Sequence, residues 1–169
     1  AASRGGVRSG VHEGCRVILR DYQQQAVDAV FAAFAEGKRS TLLVLPTGGG
    51  KTVVFSHIIK RWTKGRVLVL AHREELIRQA ASKILSVTGE EPDIEMASER
   101  ADLHLFRRSR AIVASKDTLK GKRLERLNPK DFGLLITDEA HHAVANTYTD
   151  IYKHFEGVPH LGVTATPDR

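Results

Sequence analysis

The chain has a single cysteine, Cys15, among 169 residues, which excludes an internal disulfide and a zinc ribbon built on paired cysteines. No run of apolar residues approaches the roughly 18 that a membrane-spanning helix needs. The amino-terminal stretch also lacks the apolar core of a secretory signal peptide. These absences exclude disulfide-stapled and membrane-embedded classes of protein, and we expect an intracellular protein without a membrane partner.

The positive charge of the chain is concentrated in one segment. Lys and Arg number 26 against 20 Asp and Glu, which gives a formal net charge of +6. Residues 100–130, called the basic segment below, hold ten basic and three acidic residues, so the remainder of the chain is close to neutral. Phe106 is the only Phe, Tyr or Trp of the segment, which favours binding to the backbone of a polyanion over base stacking. A solvated helix face is the alternative interpretation.

Apolar runs typical of buried strands alternate with helical patterns. Five such runs lie at residues 41–45, 66–71, 111–115, 132–137 and 160–166, and a weaker one at 93–97. Two amphipathic helices are predicted between them, the first capped by Asp21. The apolar face of the first helix carries Tyr22, Ala26, Val30, Phe31 and Phe34. The apolar face of the second carries Leu76, Ile77, Ala80, Ile84 and Val87. The alternation predicts an α/β fold with a mostly parallel sheet, helices on both faces and ligands at the carboxyl ends of the strands.

The domain organisation follows from the same pattern. The first 14 residues are rich in Gly, Ser and Arg and show no period, so residues 1–17 are predicted to be a flexible arm or a cloning remnant. Residues 18–169 are predicted to form one domain, with no internal repeat.

A glycine-rich loop, PTGGGKT at 46–52, follows the first apolar run and precedes a helical pattern. This is the context of a phosphate-binding P-loop, in which backbone N–H groups and a helix N-terminus surround phosphate oxygens. The strict pattern GxxxxGKS/T has a glycine where this chain has Leu45, so the match is imperfect, and an ordinary glycine-rich turn is the alternative. Lys51 is expected to contact the β and γ phosphates. The residues expected to bind nucleotide here are Thr47, Gly48, Gly49, Gly50, Lys51 and Thr52, the last also holding Mg²⁺.

Two carboxylates, Asp138 and Glu139, follow the apolar run FGLLIT directly. In a parallel sheet this position faces the P-loop, so we expect Asp138 to hold a nucleotide-bound Mg²⁺ and Glu139 to orient the attacking water or accept its proton. A solvated acidic turn that caps the following helix is the alternative. His141 and His142 point apart on a helix and have no further ligand at the required spacing, which argues against zinc.

These motifs, LPTGGGKT, DEAH and Thr164-Ala165-Thr166, occur in an order that resembles the first RecA-like P-loop domain of superfamily 2 helicases and translocases. The resemblance covers residues 19–169 and is nearest in style to the branch of restriction subunits and DNA-repair helicases. It implies that Lys51, Asp138, Glu139 and His141 are catalytic. Thr164 and Thr166 would couple hydrolysis to movement, although strand threonines are common for their β propensity alone.

Three further stretches resemble motifs of the same family. LRDYQ at 19–23 resembles the motif in which a glutamine reads adenine and a nearby arginine supports it, here Gln23 and Arg20. A glutamine amide donates and accepts at once, which matches the edge of adenine. AHREEL at 71–76 resembles motif Ia, and ASKDTL at 114–119 resembles a later motif that contacts nucleic acid. The resemblance implies backbone contacts from Arg73, Ser115 and Thr118.

The function implied by the resemblance is the coupling of ATP hydrolysis, with Mg²⁺, to movement on or unwinding of nucleic acid, with DNA favoured over RNA. The family also has a second RecA-like domain, which this sequence does not include. Because that domain supplies arginines to the ATP site, the fragment is expected to bind ATP and hydrolyse it weakly. The alternatives are a P-loop ATPase that remodels a target other than nucleic acid, and a nucleic-acid adaptor that does not hydrolyse ATP.

Overall fold

A computed structural model describes residues 17–103, 109–142 and 146–165 of the chain. Its strands and helices alternate along most of this length. The strands are β1 (Ser40–Leu45), β2 (Arg66–Ala71), β3 (Asp93–Glu95), β4 (Ala111–Ser115), β5 (Phe132–Asp138) and β6 (His160–Ala165). The helices are α1 (Asp21–Ala35), α2 (Lys51–Arg61), α3 (Glu74–Thr88), the short α4 (Lys122–Glu125) and α5 (Asn146–His154). Single 3₁₀ turns lie at Pro129–Asp131 and Ala140–His142.

All six strands form one parallel sheet in the order β1-β6-β5-β2-β4-β3. The predicted strands are therefore confirmed, although β3 is shorter than expected and β5 extends to Asp138. The prediction that Asp21 caps α1 was wrong, because Asp21 is the first helical residue and Arg20 occupies the N-cap position.

Helices cover both faces of the sheet, as the α/β pattern predicts. On one face α1, α2 and α3 pack on alternate strand residues through side chains such as Val27, Phe55 and Ile84. On the other face α4 contributes Leu124, α5 contributes Ile151, and Phe155 directly after α5 joins them in a second core. The residues of β2 are buried on both sides of the sheet, which explains why RVLVLA reads as a continuous apolar run rather than an alternating one.

Parallel pairing brings the carboxyl ends of all the strands to one edge of the sheet, called the carboxyl edge below. The glycine-rich loop follows β1, the DEAH residues follow β5, and Thr164 lies near the end of β6 between them. At the opposite, amino edge, α1 and α2 end and β1 and β2 begin. Among the described residues, no helix is both long and apolar enough to cross a membrane.

Candidate functional site

The loop between β1 and α2 owes its shape to three glycines. Gly48 and Gly50 have φ angles of 77°, in the left-handed region that favours glycine. A Cβ on Gly49 would lie 2.7 Å from the carbonyl oxygen of Pro46, which already accepts a 2.8 Å hydrogen bond from the Gly49 N–H. The loop therefore turns tightly into the first residue of α2, Lys51. The loop thus lies at a helix N-terminus, a position that favours bound anions.

Gln23 is the one of three consecutive glutamines that points inward. It is buried, whereas Gln24 and Gln25 are exposed. Its Nε2 donates a 3.0 Å hydrogen bond to the carbonyl of Gly49, and its Oε1 accepts one of 2.9 Å from the backbone N–H of Arg20. Each end of the amide keeps a second hydrogen-bonding position. Gln23 therefore lies against the glycine-rich loop with capacity for a further partner, and Arg20 supports it through its backbone.

Tyr22 also contacts this loop, a role that the sequence analysis did not assign. Its phenol donates a 3.0 Å hydrogen bond to the same Gly49 carbonyl. The signal that could have identified it was its place beside Gln23 in LRDYQ. The close fit extends to Gly50, where an added Cβ would lie only 2.4 Å from Nε2 of Gln23. The loop is thus fixed from one side by α1.

On its other side the loop meets the DEAH residues through an ion pair between Lys51 and Glu139. Glu139 has a φ of 54°, the only positive value of a non-glycine residue in the described part of the chain. That conformation costs a glutamate on the order of 1–2 kcal/mol. Strain of this kind concentrates at functional sites. Here the carboxylate reaches from the end of β5 to the first residue of α2.

Asp138 is a buried carboxyl group beside these two charges. Burial raises the pKa of Asp138 above its usual value. The positive charge of Lys51 opposes this rise in pKa, and the neighbouring Glu139 carboxylate adds to it. One oxygen, Oδ1, accepts a 2.9 Å hydrogen bond from the backbone N–H of Glu139. The site therefore holds a carboxylate whose negative charge is only partly compensated by the neighbouring groups of the chain.

His141 connects the DEAH residues to β6. Its Nδ1 lies 2.8 Å from Oγ1 of Thr164 and 3.3 Å from Oε2 of Glu139. Thr164 is in turn the partner of Val44 in the register of β1 and β6, next to the glycine-rich loop. Of the two residues predicted to couple hydrolysis to movement, Thr164 contacts His141, and Thr166 lies outside the described residues.

The three residues predicted to contact nucleic acid lie after neighbouring strands. Ala71 of β2 pairs with Ser115 of β4, and the N–H of Lys116 donates a 3.1 Å hydrogen bond to the Ala71 carbonyl. Arg73 is exposed at the N-cap of α3, and Thr118 closes a turn on the carbonyl of Ser115. The two loops therefore form one surface. The end of β2 lies one strand spacing, about 5 Å, from β5, and the end of β4 lies two spacings, about 10 Å, from it.

Only part of the basic segment surrounds these loops. Arg110 lies at the amino edge and pairs with Glu90, and Arg123 and Arg126 face the buried Glu95. These three arginines have structural partners, contrary to the expectation that the whole segment serves a polyanion. Lys116, Lys120 and Lys122 follow β4, and the last two are exposed. Arg107 and Arg108 lie outside the described residues.

With this geometry in place, the relatives of the chain become informative. The sequence profile of the ResIII family, described as "Type III restriction enzyme, res subunit", matches residues 16–169. The chain belongs to this family.

Two relatives of this ResIII chain are helicases or translocases by name. The ResIII chain is 37% identical over 171 residues to the putative ATP-dependent helicase IRC3 of Saccharomyces cerevisiae, with 90% of the chain and 24% of the yeast protein covered. It is 33% identical to the DNA 3'-5' translocase XPB2 of Sulfurisphaera tokodaii, with 91% and 32% covered. The ResIII chain thus spans less than a third of the length of either relative.

Solved structures share the fold of the ResIII chain. The helicase domain of Hef from Pyrococcus furiosus superposes with a TM-score of 0.66 at 26% identity, over 89% of this chain and 34% of that one. The restriction-modification enzyme LlaGI, in complex with a DNA substrate mimic, gives a TM-score of 0.69 at 22% identity, over 90% and 18%. The α/β fold of the ResIII chain is therefore the RecA-like fold of superfamily 2 helicases.

Replacing Asp138 by Asn is expected to stabilise the folded ResIII chain at neutral pH. Folding raises the pKa of Asp138 above its ordinary value of 3.8. The stability that this group contributes is therefore fully present below pH 3.8 and is lost as the pH rises through the pKa of the folded state. Asn keeps the Oδ1 acceptor and has no charge to bury. Urea unfolding should show a gain for Asp138→Asn at pH 7 that disappears below about pH 4. Asp150→Asn, at an exposed position of α5, controls for loss of one surface charge, and equal behaviour of both variants would contradict the expectation.

Proposed function

We propose that the chain is the ATP-binding lobe of an ATP-dependent motor that moves on or unwinds nucleic acid. The observation that carries the proposal is the convergence of Gln23, the glycine-rich loop, Lys51 and Glu139 at the carboxyl edge. A base-reading amide, a phosphate-binding loop and a carboxylate for water activation would supply three of the parts of a site that hydrolyses ATP. The relatives named as ATP-dependent helicases and a DNA translocase support it.

The nucleotide would replace contacts that the chain makes with itself. Backbone N–H groups of Thr47, Gly48, Gly49 and Gly50 and the N-terminus of α2 would surround the phosphates. Lys51 would leave Glu139 for the β and γ phosphates, because a phosphate oxygen is the more highly charged acceptor. Glu139 would then be released to orient water or accept its proton. Nucleotide binding and release of Glu139 as the general base would thus result from one event, the transfer of Lys51 from Glu139 to phosphate.

The residues present fit a magnesium ion brought by the nucleotide. Thr52, in the first turn of α2, supplies a hydroxyl and Asp138, at the end of β5, a carboxylate. Hydroxyl and carboxylate oxygens are the hard donors that Mg²⁺ prefers. The buried position of Asp138, which raises its pKa, is the kind of site where a cation compensates a carboxylate. When bound, the ion would neutralise phosphate charge, and Asp138 would orient it.

Nucleic acid would lie across the loops that follow β2 and β4, with Arg73, Ser115, Thr118 and the exposed lysines near its phosphates. DNA is favoured over RNA because the Sulfurisphaera tokodaii relative is named a DNA translocase and the LlaGI structure contains a DNA substrate mimic. His141 and Thr164 would transmit the state of the phosphate site along β6. A second RecA-like domain of a longer protein would complete the ATP site, so this chain by itself is proposed to hydrolyse ATP weakly.

Lys51→Ala is expected to weaken binding of a non-hydrolysable ATP analogue with Mg²⁺ by about 10- to 100-fold. The variant loses charge-assisted hydrogen bonds worth about 1.5–3 kcal/mol and leaves Glu139 facing the phosphates. Isothermal titration calorimetry of this chain measures the effect. Lys130→Ala removes an exposed lysine near the amino edge and should bind as the wild type does. Equal affinity of the two variants would refute the P-loop assignment.

Gln23→Ala is expected to reduce the preference for ATP over GTP, whereas Gln24→Ala leaves it intact. Gln23 lies against the loop and Gln24 pairs with Asp28 on the exposed side of α1. Bidentate reading of adenine contributes about 1–3 kcal/mol of discrimination. The ratio of ATP to GTP affinities should therefore fall roughly 5- to 100-fold in Gln23→Ala. An unchanged ratio would show that Gln23 only supports the loop.

Arg73→Ala is expected to weaken binding of single-stranded DNA and to reduce the slope of log affinity against log salt by about one unit. The reason is that one phosphate contact, and the counterion it releases, is lost. Fluorescence anisotropy at several salt concentrations measures both quantities. Lys130→Ala again removes one charge at the other edge and should leave the slope unchanged. Absence of salt-dependent binding in the wild type would favour an ATPase with a different target.

A further inference from the structure

An aromatic cavity lies at the amino edge, where α1 and α2 end. It has a volume of about 240 Å³ and is lined by Phe31, Phe34, Ala35, Arg61, Trp62, Thr63 and Lys64. Three of the ten Phe, Tyr and Trp residues of the chain are gathered there. None of the residues assigned above to nucleotide or nucleic acid contributes to the cavity, which we call the amino-edge cavity. The amino-edge cavity is therefore separate from both proposed binding sites.

The walls of the cavity are fixed by ring contacts. The ring of Trp62 meets that of Phe31 at 5.8 Å between centroids and 38°, and that of Phe34 at 5.6 Å and 79°. The indole N–H donates a 3.0 Å hydrogen bond to the Lys64 carbonyl. Trp62 is only 7% exposed, so the cavity has an ordered floor. A preformed apolar cavity lowers the entropy lost when a partner binds.

The rim of the cavity is positively charged. Arg61 lies 4.5 Å over the Phe31 ring and pairs with Asp28, and Lys64 is exposed. No carboxylate is among the described residues that line the cavity. At the ends of the elements that meet here, the basic residues outnumber the acidic ones: Lys38, Arg39, Lys60, Arg61 and Lys64 against Asp28 and Glu36. The charge complementary to this edge is negative.

We propose that the amino-edge cavity docks an acidic segment of a partner protein through one inserted apolar side chain. The volume is below the roughly 300–1,000 Å³ of small-molecule sites and suits a single anchoring residue such as Phe or Leu, with flanking carboxylates near Lys64 and Arg61. A buried anchor inside a polar rim is the usual arrangement of such contacts.

The ring geometry favours a side chain over a nucleobase. Stacking of a base needs an open, flat aromatic face. One face of the Phe31 ring is covered by Arg61, and Trp62 and Phe34 meet edge to face. The cavity is separated from the glycine-rich loop by the length of α2, about 16 Å for its 11 residues. Partner and nucleotide can therefore be bound together.

The single tryptophan of the chain reports directly on the cavity, because that residue is Trp62. Three capped hexapeptides serve as probes: Glu-Glu-Phe-Leu-Glu-Glu, its counterpart with four lysines in place of the glutamates, and Glu-Glu-Ser-Ser-Glu-Glu. We expect the first to change Trp62 emission and to bind, by emission and by calorimetry, at least about ten-fold more tightly than the other two. Binding should persist in Lys51→Ala, which separates this proposal from the nucleotide site.

A charge reversal supplies the matched test. Lys64→Glu, at an exposed position whose backbone carbonyl still accepts from Trp62, should weaken the acidic peptide and improve binding of the lysine peptide. Lys122→Glu, at an exposed position on α4, should change neither. Circular dichroism and thermal unfolding check that all variants fold.

Three results would overturn the proposal. The first is the absence of acidic-peptide binding by both measurements, which would include the case of a cavity filled by residues of this chain outside the described ranges. The second is equal binding of all three peptides. The third is tighter binding of a thymidine oligonucleotide, with the same Trp62 response, which would assign the cavity to nucleic acid.

Discussion

Parallel hydrogen bonding of all six strands is the constraint on which the rest of the structure depends. Parallel strands must be joined by crossovers, so helices cover both faces and the strands become apolar along their whole length. Polar chemistry is then left to the strand ends. This is why the glycine-rich loop, the DEAH residues, His141 with Thr164 and the loops after β2 and β4 all lie along one edge, although they are spread from Pro46 to Thr164 in the sequence.

Local patterns made much of this predictable. Buried strands are recognisable because both of their faces are apolar, and PTGGGKT is recognisable because three glycines before a helix serve a specific backbone geometry. Contacts between distant parts of the chain leave no such local signal. Periodicity and charge do not predict the order of the strands in the sheet. They also do not predict that Gln23, rather than Gln24 or Gln25, contacts Gly49. The pairing of Arg123 and Arg126 with the buried Glu95 is equally absent from the local pattern.

Two features of the charged site are unfavourable for the stability of the fold. Asp138 is buried at the cost of a raised pKa, and Glu139 adopts a left-handed conformation in order to reach Lys51. Local rules of this kind are most often broken at functional sites, and both features would become useful if phosphate and a cation bound there, as the proposed function requires. At the amino edge, the buried Trp62 and the partly buried Phe31 and Phe34 line a cavity, which is a departure from close packing in this domain.

The position of β1 has a consequence for how the molecule is made. Among the strands that the structure describes, its only neighbour is β6, and the two are paired residue for residue at a separation of 120 positions, Ser40 with His160. A ribosome adding about 5–20 residues per second needs roughly 6–24 seconds to cover that distance. Throughout this interval the strand that carries the glycine-rich loop has no backbone partner. The glycine-rich loop is thus synthesised well before the strand that fixes β1 in place.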